Sequence, residues 1–147
     1  MIAHLKVCPP ITNEELNRLF ASAWPAHINT DFRPMLERAL LYVCAFNGEK
    51  LVGFAKVVSD GGIHGFLLDP TVSSDCRRFG IGSRLVQLCA SEARRRGIEW
   101  LHVDFLPELS PFYVSCGFRK TEAGLRNLKE EAAEPGATDN PDDAQRI

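Results

Sequence analysis

At 147 residues the chain is long enough for one compact domain and short for two. Hydrophobic residues make up 45% and charged residues 24%, values that exclude a wholly disordered, collagen-like or coiled-coil chain. Lys plus Arg number 17 against 19 Asp plus Glu, a formal charge of -2, so no global basic field favours nucleic acid or an anionic membrane surface, and any anion site must be local.

No apolar run approaches the roughly 18 to 20 residues that span a bilayer, and Met1 to Cys8 lacks a signal-peptide core. The expectation is a cytoplasmic protein. Five cysteines, Cys8, Cys44, Cys76, Cys89 and Cys116, are scattered without a CxxC pair or a neighbouring His cluster. That spacing argues against a disulfide framework and against a metal site.

In chain order, Ile2 to Val7 can form a first strand. Thr12 and Glu15 have the spacing of a capping box, and Leu16, Leu19, Phe20 and Ala23 then share one helical face that ends near Trp24-Pro25. A short helix is expected from about Pro34 to Leu40, with proline in its first turn. Leu41 to Phe46 and Leu51 to Val58 read as a hairpin through Asn47-Gly48, and a further strand is expected from Ile63 to Val72. From Gly82 to Arg96 runs the clearest helix, with Ile81, Leu85, Val86, Leu88, Cys89 and Ala93 on one arc, Glu92 breaking the stripe, and Gly97 as C-cap candidate. Ile98 to Phe105 reads as a strand, and Ser110 and Pro111 as the N-cap and first residue of a short helix closed by Gly117. Phe118 to Leu128 is expected to supply one or two closing strands.

Lys129 to Ile147 carries six acids (Glu130, Glu131, Glu134, Asp139, Asp142, Asp143) against Lys129 and Arg146, with almost nothing bulky and apolar. Such a stretch buries too little surface to offset its ordering entropy, so residues 129–147 read as a disordered acidic tail behind a single domain at 1–128.

The strongest local signal is Arg77-Arg78-Phe79-Gly80-Ile81-Gly82, after a strand and at the start of an amphipathic helix. Two glycines let backbone approach a ligand, and free N–H groups at a helix start point outward with the positive dipole end behind them, which makes an anion cradle. The run lacks the Lys-Ser/Thr of a P-loop and is not GxGxxG. A glycine-rich turn that only connects strand to helix remains the alternative.

Leu68 to Val86, with Arg77, Gly80 and Gly82 at the positions of a Gln/Arg-x-x-Gly-x-Gly/Ala pattern, and the later Phe112-Tyr113-Val114-Ser115-Cys116-Gly117-Phe118 run together resemble the GNAT superfamily of acyl-CoA-dependent N-acetyltransferases. The resemblance covers roughly Leu41 to Phe118. It implies an α/β (α+β) fold: a central mixed, mostly antiparallel sheet, splayed between strands four and five and flanked by helices. It implies acetyl-CoA as acyl-donor cosubstrate, its pantetheine arm beside Thr71 and Val72 and its pyrophosphate on Arg77, Arg78, Phe79, Gly80, Ile81, Gly82 and Ser83. The implied reaction is direct attack by a primary amine, on a small molecule or a peptide, without an acyl-enzyme. A non-catalytic acyl-CoA-binding or sensing domain is the alternative, and self-association as a homodimer is compatible with the resemblance.

Tyr113 matches the family tyrosine that protonates the departing thiolate, a task suited to a phenol whose proton is held at neutral pH. A packing tyrosine with its hydroxyl on some backbone carbonyl is the competing reading. Asp69, at the end of the strand beside the thioester, is the candidate general base, and before Pro70 it is equally a turn former. His64, His102, Asp104 and Glu108 are weaker candidates. Many family members carry Asn seven residues before the tyrosine, where this chain has Leu106. Cys76 and Cys116 read as small buried residues rather than nucleophiles, because no His partner is identifiable. Trp24, His27 and Phe32 are placed either in the acceptor site or in the core.

Overall fold

Alternation in the middle of the chain produces a hairpin first: β2 (Leu41–Asn47) and β3 (Lys50–Ser59) pair antiparallel and turn through Gly48-Glu49, with Gly48 at φ 59°. The computed structural model describes residues 1–133. β1 (His4–Val7) joins the outer edge of β2, and β4 (His64–Val72) joins β3, both antiparallel. β5 (Trp100–His102) adds to β4 in parallel, giving a five-stranded sheet in the order β1-β2-β3-β4-β5.

The two faces of the sheet are covered by different helices. α3 (Ile81–Arg95) places Ile81, Leu85, Val86, Cys89 and Ala93 against Val43, Ala45, Val52, Ala55, Val57 and Leu67. Gly53 makes that approach possible, because a Cβ there would lie 2.9 Å from Leu85 Cδ1. On the opposite face α1 (Asn13–Ala23) buries Leu16, Leu19 and Phe20 with Phe32, Cys44, Leu51 and Phe54. The capping box on α1 is present in both directions, Glu15 N–H donating to Thr12 Oγ1 at 3.1 Å and Thr12 N–H to Glu15 Oε2 at 2.8 Å. α2 (Arg33–Arg38) is one residue longer at its start and two shorter at its end than the spacing predicts.

α3 ends as expected, with Gly97 at φ 90° beyond Arg96, and Glu92 is accounted for by ion pairs to Arg95 and Arg96. Four sequence expectations are corrected. β5 has three residues instead of eight, because backbone beyond His102 leaves β4. α4 (Ser110–Ser115) starts one residue earlier than a Ser110 cap implies, with Leu109 as its N-cap. Residues 118–127 form no strand, and their only large aliphatic side chain, Leu125, is 81% exposed, so the segment has no apolar face to lay on a sheet. The stretch expected to be a tail opens with a short helix, α5 (Leu128–Ala133), and the remainder of that expectation, 134–147, lies outside the described residues.

Among the described residues no helix is long and apolar enough to cross a membrane, and no group of three or more His, Cys, Asp or Glu side chains is arranged to hold a metal ion. The α3–sheet contact is the larger of the two cores. Replacing the fully buried Leu85 with alanine is expected to lower unfolding free energy by about 3 kcal/mol, measured by urea denaturation with an unchanged m-value.

Candidate active site

β4 pairs with β3 from Gly65 to Val72, with a break at Asp69-Pro70, but with β5 only at three positions, His64 opposite Trp100, Gly65 opposite Leu101 and Phe66 opposite His102. From Leu67 to Val72 the edge of β4 that faces β5 has no strand partner. The two strands therefore part at Phe66 and His102, and the backbone amides and carbonyls of the freed β4 edge are open to an extended ligand.

The freed stretch is also bulged. Lys56 pairs with Leu68 and Phe54 with Thr71, so Asp69 and Pro70 together oppose Ala55. Asp69 takes φ 54°, and its carboxylate lies 2.9 Å from Lys56 Nζ. The Lys56 side chain is 7% exposed and the Asp69 side chain 45%, so a nearly buried ammonium is balanced by a carboxylate that still reaches solvent. Met35 Sδ on α2 lies 3.5 Å from the same Nζ, which places this pair on the α1–α2 face. Thr71 is buried, and its hydroxyl donates to Asp69 O at 2.9 Å and accepts from Trp24 Nε1 at 3.4 Å. Val72 packs against the α3 core.

A single 3-10 turn at Ser74–Cys76 leads into the glycine-rich loop. Arg78 at φ 70° and Gly80 at φ 75° both adopt the left-handed conformation, and the space around Gly80 where a side chain would project is open. Gly80 is the N-cap of α3, and no side chain caps that helix, in contrast to α1. Its first-turn N–H groups face outward without a side-chain acceptor. Ile81 anchors the loop in the core, while Phe79 and both arginines are exposed. Arg77 reaches Ala23 O at 3.5 Å, and Arg78 has no side-chain partner among the described residues.

The two sequence motifs meet. A Cβ at Gly82 would lie 3.4 Å from Phe112 Cζ, and Gln87 Nε2 donates to Cys116 O at 3.0 Å, so α4 docks on the first turns of α3. Tyr113 on α4 is stacked on Phe105 at 4.7 Å and set edge-on to Phe112 and Phe118. Burial, with smaller contributions from Cys116 and Asp104, raises its pKa above the usual phenol value. Tyr42 shows what a packing tyrosine does here: its hydroxyl donates to Pro9 O at 2.6 Å. Among the described residues the Tyr113 hydroxyl meets no such carbonyl, and it is not one of the sealed, unpartnered polar atoms.

The remaining candidates separate. Cys76 is buried, and desolvation with the neighbouring Asp75 raises its pKa, the opposite of what activates a nucleophilic cysteine. Cys44 and Cys89 are pushed up to about 12 by burial. His27 stacks on Phe32 and pairs through Nε2 with Asn17 Oδ1 at 2.8 Å, which places it and Phe32 with the α1 core, whereas Trp24 is half exposed above Thr71. Leu106 is exposed. Lys56 was not singled out by sequence, although a lysine flanked by Phe54, Ala55, Val57 and Val58 in a strand carries the signal of a buried charge.

Residues 10–118 match the Acetyltransferase (GNAT) family, and the chain belongs to it. A glucosamine 6-phosphate N-acetyltransferase of Oryza sativa subsp. japonica is 30% identical over 128 residues, covering 85% of this chain and 76% of that protein. An uncharacterized N-acetyltransferase of Pyropia yezoensis is 28% identical over 79 residues, a match that covers 54% of this chain and only 45% of that protein's length. Among solved structures, a GNAT-family acetyltransferase of Streptococcus pneumoniae TIGR4 superposes with a TM-score of 0.68 at 23% identity, over 86% of this chain and 98% of that one.

The Lys56–Asp69 pair yields an asymmetric prediction. Asp69→Asn keeps a side chain that tolerates φ 54° but strands the buried ammonium, and is expected to cost about 2 kcal/mol, discounted for the solvent that reaches Asp69. Adding Lys56→Met should recover most of that loss, as read from a double-mutant cycle of urea midpoints.

Proposed function

We propose that this acetyltransferase moves an acetyl group from acetyl-CoA directly to a primary amine, with Tyr113 as the acid that protonates the leaving thiolate. The observation that carries the reading is the Tyr113 hydroxyl, which is set in an aromatic cluster yet bonded to no protein group among the described residues. Acetyl-CoA supplies the activated thioester.

The chain's residues suit that cosubstrate. The uncapped first turn of α3 and the left-handed Arg78 and Gly80 give outward N–H groups from Arg78 to Ser83 for a pyrophosphate. Arg78, without another partner, adds a charge-assisted contact, and Arg77 supports the loop from its contact with Ala23 O. The freed β4 edge beside Thr71 and Val72 offers backbone groups to the amides of the arm, with the Thr71 hydroxyl engaged inside the protein. Exposed Leu106 contributes no hydrogen bond to that arm, so the β4 backbone carries the contact.

On the α1–α2 face the acceptor meets Asp69, whose carboxylate is held in place by Lys56 and still open to solvent. That carboxylate attracts an incoming ammonium. An amino sugar phosphate heads the acceptors to be tried, because the relative at 30% identity is named for glucosamine 6-phosphate.

Tyr113→Phe tests the assignment. It is expected to lower kcat about 10²-fold with an unchanged dissociation constant for acetyl-CoA. The raised pKa keeps the phenol protonated through the ordinary tyrosine range, so the alkaline fall in kcat should lie above about pH 10 in the parent protein and disappear in the variant. Unchanged kcat would remove Tyr113 from the reaction. Acetyl-CoA binding with no CoA release from any amine would leave a non-catalytic acyl-CoA-binding domain.

A further inference from the structure

We infer that the hydrogen-bonded pair His64–His102 is the group that takes the proton from the acceptor amine. The inference rests on the acetyl-transfer reading above and names the base that reading requires.

His64 Nδ1 and His102 Nε2 lie 2.8 Å apart across the β4–β5 ladder. The His102 ring stacks on Phe66 at 4.6 Å with an interplanar angle of 19°, which fixes its orientation. Phe66 and His102 are the last residues to pair before the two strands separate, so the pair stands at the closed end of the opening along which the freed β4 edge runs.

Its side of the sheet follows from pairing. Gly65 and Leu67 turn toward Ile98, Val57 and the α3 core, so His64, Phe66 and Leu68 turn the other way. Lys56 opposite Leu68 and Val58 opposite Phe66 share that face, and Lys56 touches Met35 of α2. The histidines are therefore on the same face of the sheet as the Lys56–Asp69 pair, the acceptor side of the reading above. A depression of about 430 Å³, lined by Val58, Ser59, Asp60, His64 and Phe66, opens His64 to solvent. Charged groups on this side include Asp60, the Lys56–Asp69 pair, and Arg119, whose guanidinium lies 5.9 Å from the Trp100 ring.

Counting hydrogens shows why a pair suits the task. Two neutral imidazoles joined by one N–H···N bond have one ring N–H and one unprotonated nitrogen left over, whichever ring donates. The pair thus always presents one basic nitrogen, and taking up a proton turns the internal bond into a stronger, charge-assisted one. Asp69 already has Lys56 as partner, whereas the free nitrogen of the histidine pair has none among the described residues.

The step balances. The ammonium of the acceptor gives one proton to the pair, and the freed nitrogen lone pair forms the C–N bond at the thioester carbonyl as the C–S bond breaks. The sulfur leaves with the Tyr113 proton. The second proton shed by the new amide nitrogen restores Tyr113 through solvent, and the pair returns its own proton to solvent.

The test uses His102→Gln and His64→Gln in the full chain. Both residues are exposed, so thermal midpoints should match the parent. D-glucosamine 6-phosphate, n-butylamine and 2,2,2-trifluoroethylamine are compared at neutral pH, with slow hydrolysis of acetyl-CoA by water as the acceptor-independent rate. Against the first two amines, which arrive protonated, each variant should lose about 10²-fold in kcat with unchanged acetyl-CoA affinity. Against trifluoroethylamine, which arrives neutral, the loss should shrink to a few-fold. Equal losses for all amines, or none, would overturn the inference and leave the acetyl-transfer reading intact. A parent protein that binds acetyl-CoA but neither acetylates an amine nor hydrolyses it would overturn both.

Discussion

The separation of β4 from β5 is the constraint on which the rest of the molecule depends. A strand paired on both sides has no backbone groups to spare, and one unpaired on both sides has no fixed shape. β4 is between these: β3 holds it from Gly65 to Val72, while β5 releases it after three pairs. The release leaves a rigid, hydrogen-bond-ready edge that leads from the glycine-rich loop to the His64–His102 pair. The bulge at Asp69-Pro70 sits midway along that edge, and Pro70, which has no N–H, falls where the ladder is already interrupted.

Holding β4 this way requires both faces of the sheet to be covered unequally. α3 seals one face with a continuous aliphatic layer, and its N-terminus then projects at the end of β4 because Ile81 is buried there. α1 and α2 cover the other face only as far as Phe54 and Lys56, leaving Phe66, Trp100 and the two histidines open. The buried Lys56 marks the boundary. Its ammonium needs a carboxylate, and the bulge turns Asp69 toward it, so the local backbone distortion and the local charge balance support one another.

Much of this was legible in the residue pattern. The capping box at Thr12, the Gly48 turn, the α3 stripe and the pairing of the Arg77–Gly82 run with the Phe112–Phe118 run all act over short ranges, and local chemistry decides them. What the pattern could not give depends on register. His64 and His102 are 38 positions apart and become neighbours only through a parallel pairing of three residues. Asp69 reads as a turn former or a base until Lys56, paired with Leu68 beside the bulge, is seen to lie 2.9 Å from its carboxylate. The closing strands expected at 118–128 failed for a different reason: the segment is polar without apolar alternation, and exposed Leu125 shows that it finds no face to bury.

On the proposed function, the freed β4 edge and the uncapped start of α3 form one continuous binding track for CoA. Titrating the ¹⁵N-labelled protein with CoA and following backbone amide resonances tests it directly. Saturable shifts are expected in Leu67–Val72 of β4, in Arg78–Ser83 of the loop and first turn and around Tyr113 of α4, with the amides of β1 and β2 unmoved. Shifts centred elsewhere, or none up to millimolar CoA, would contradict it.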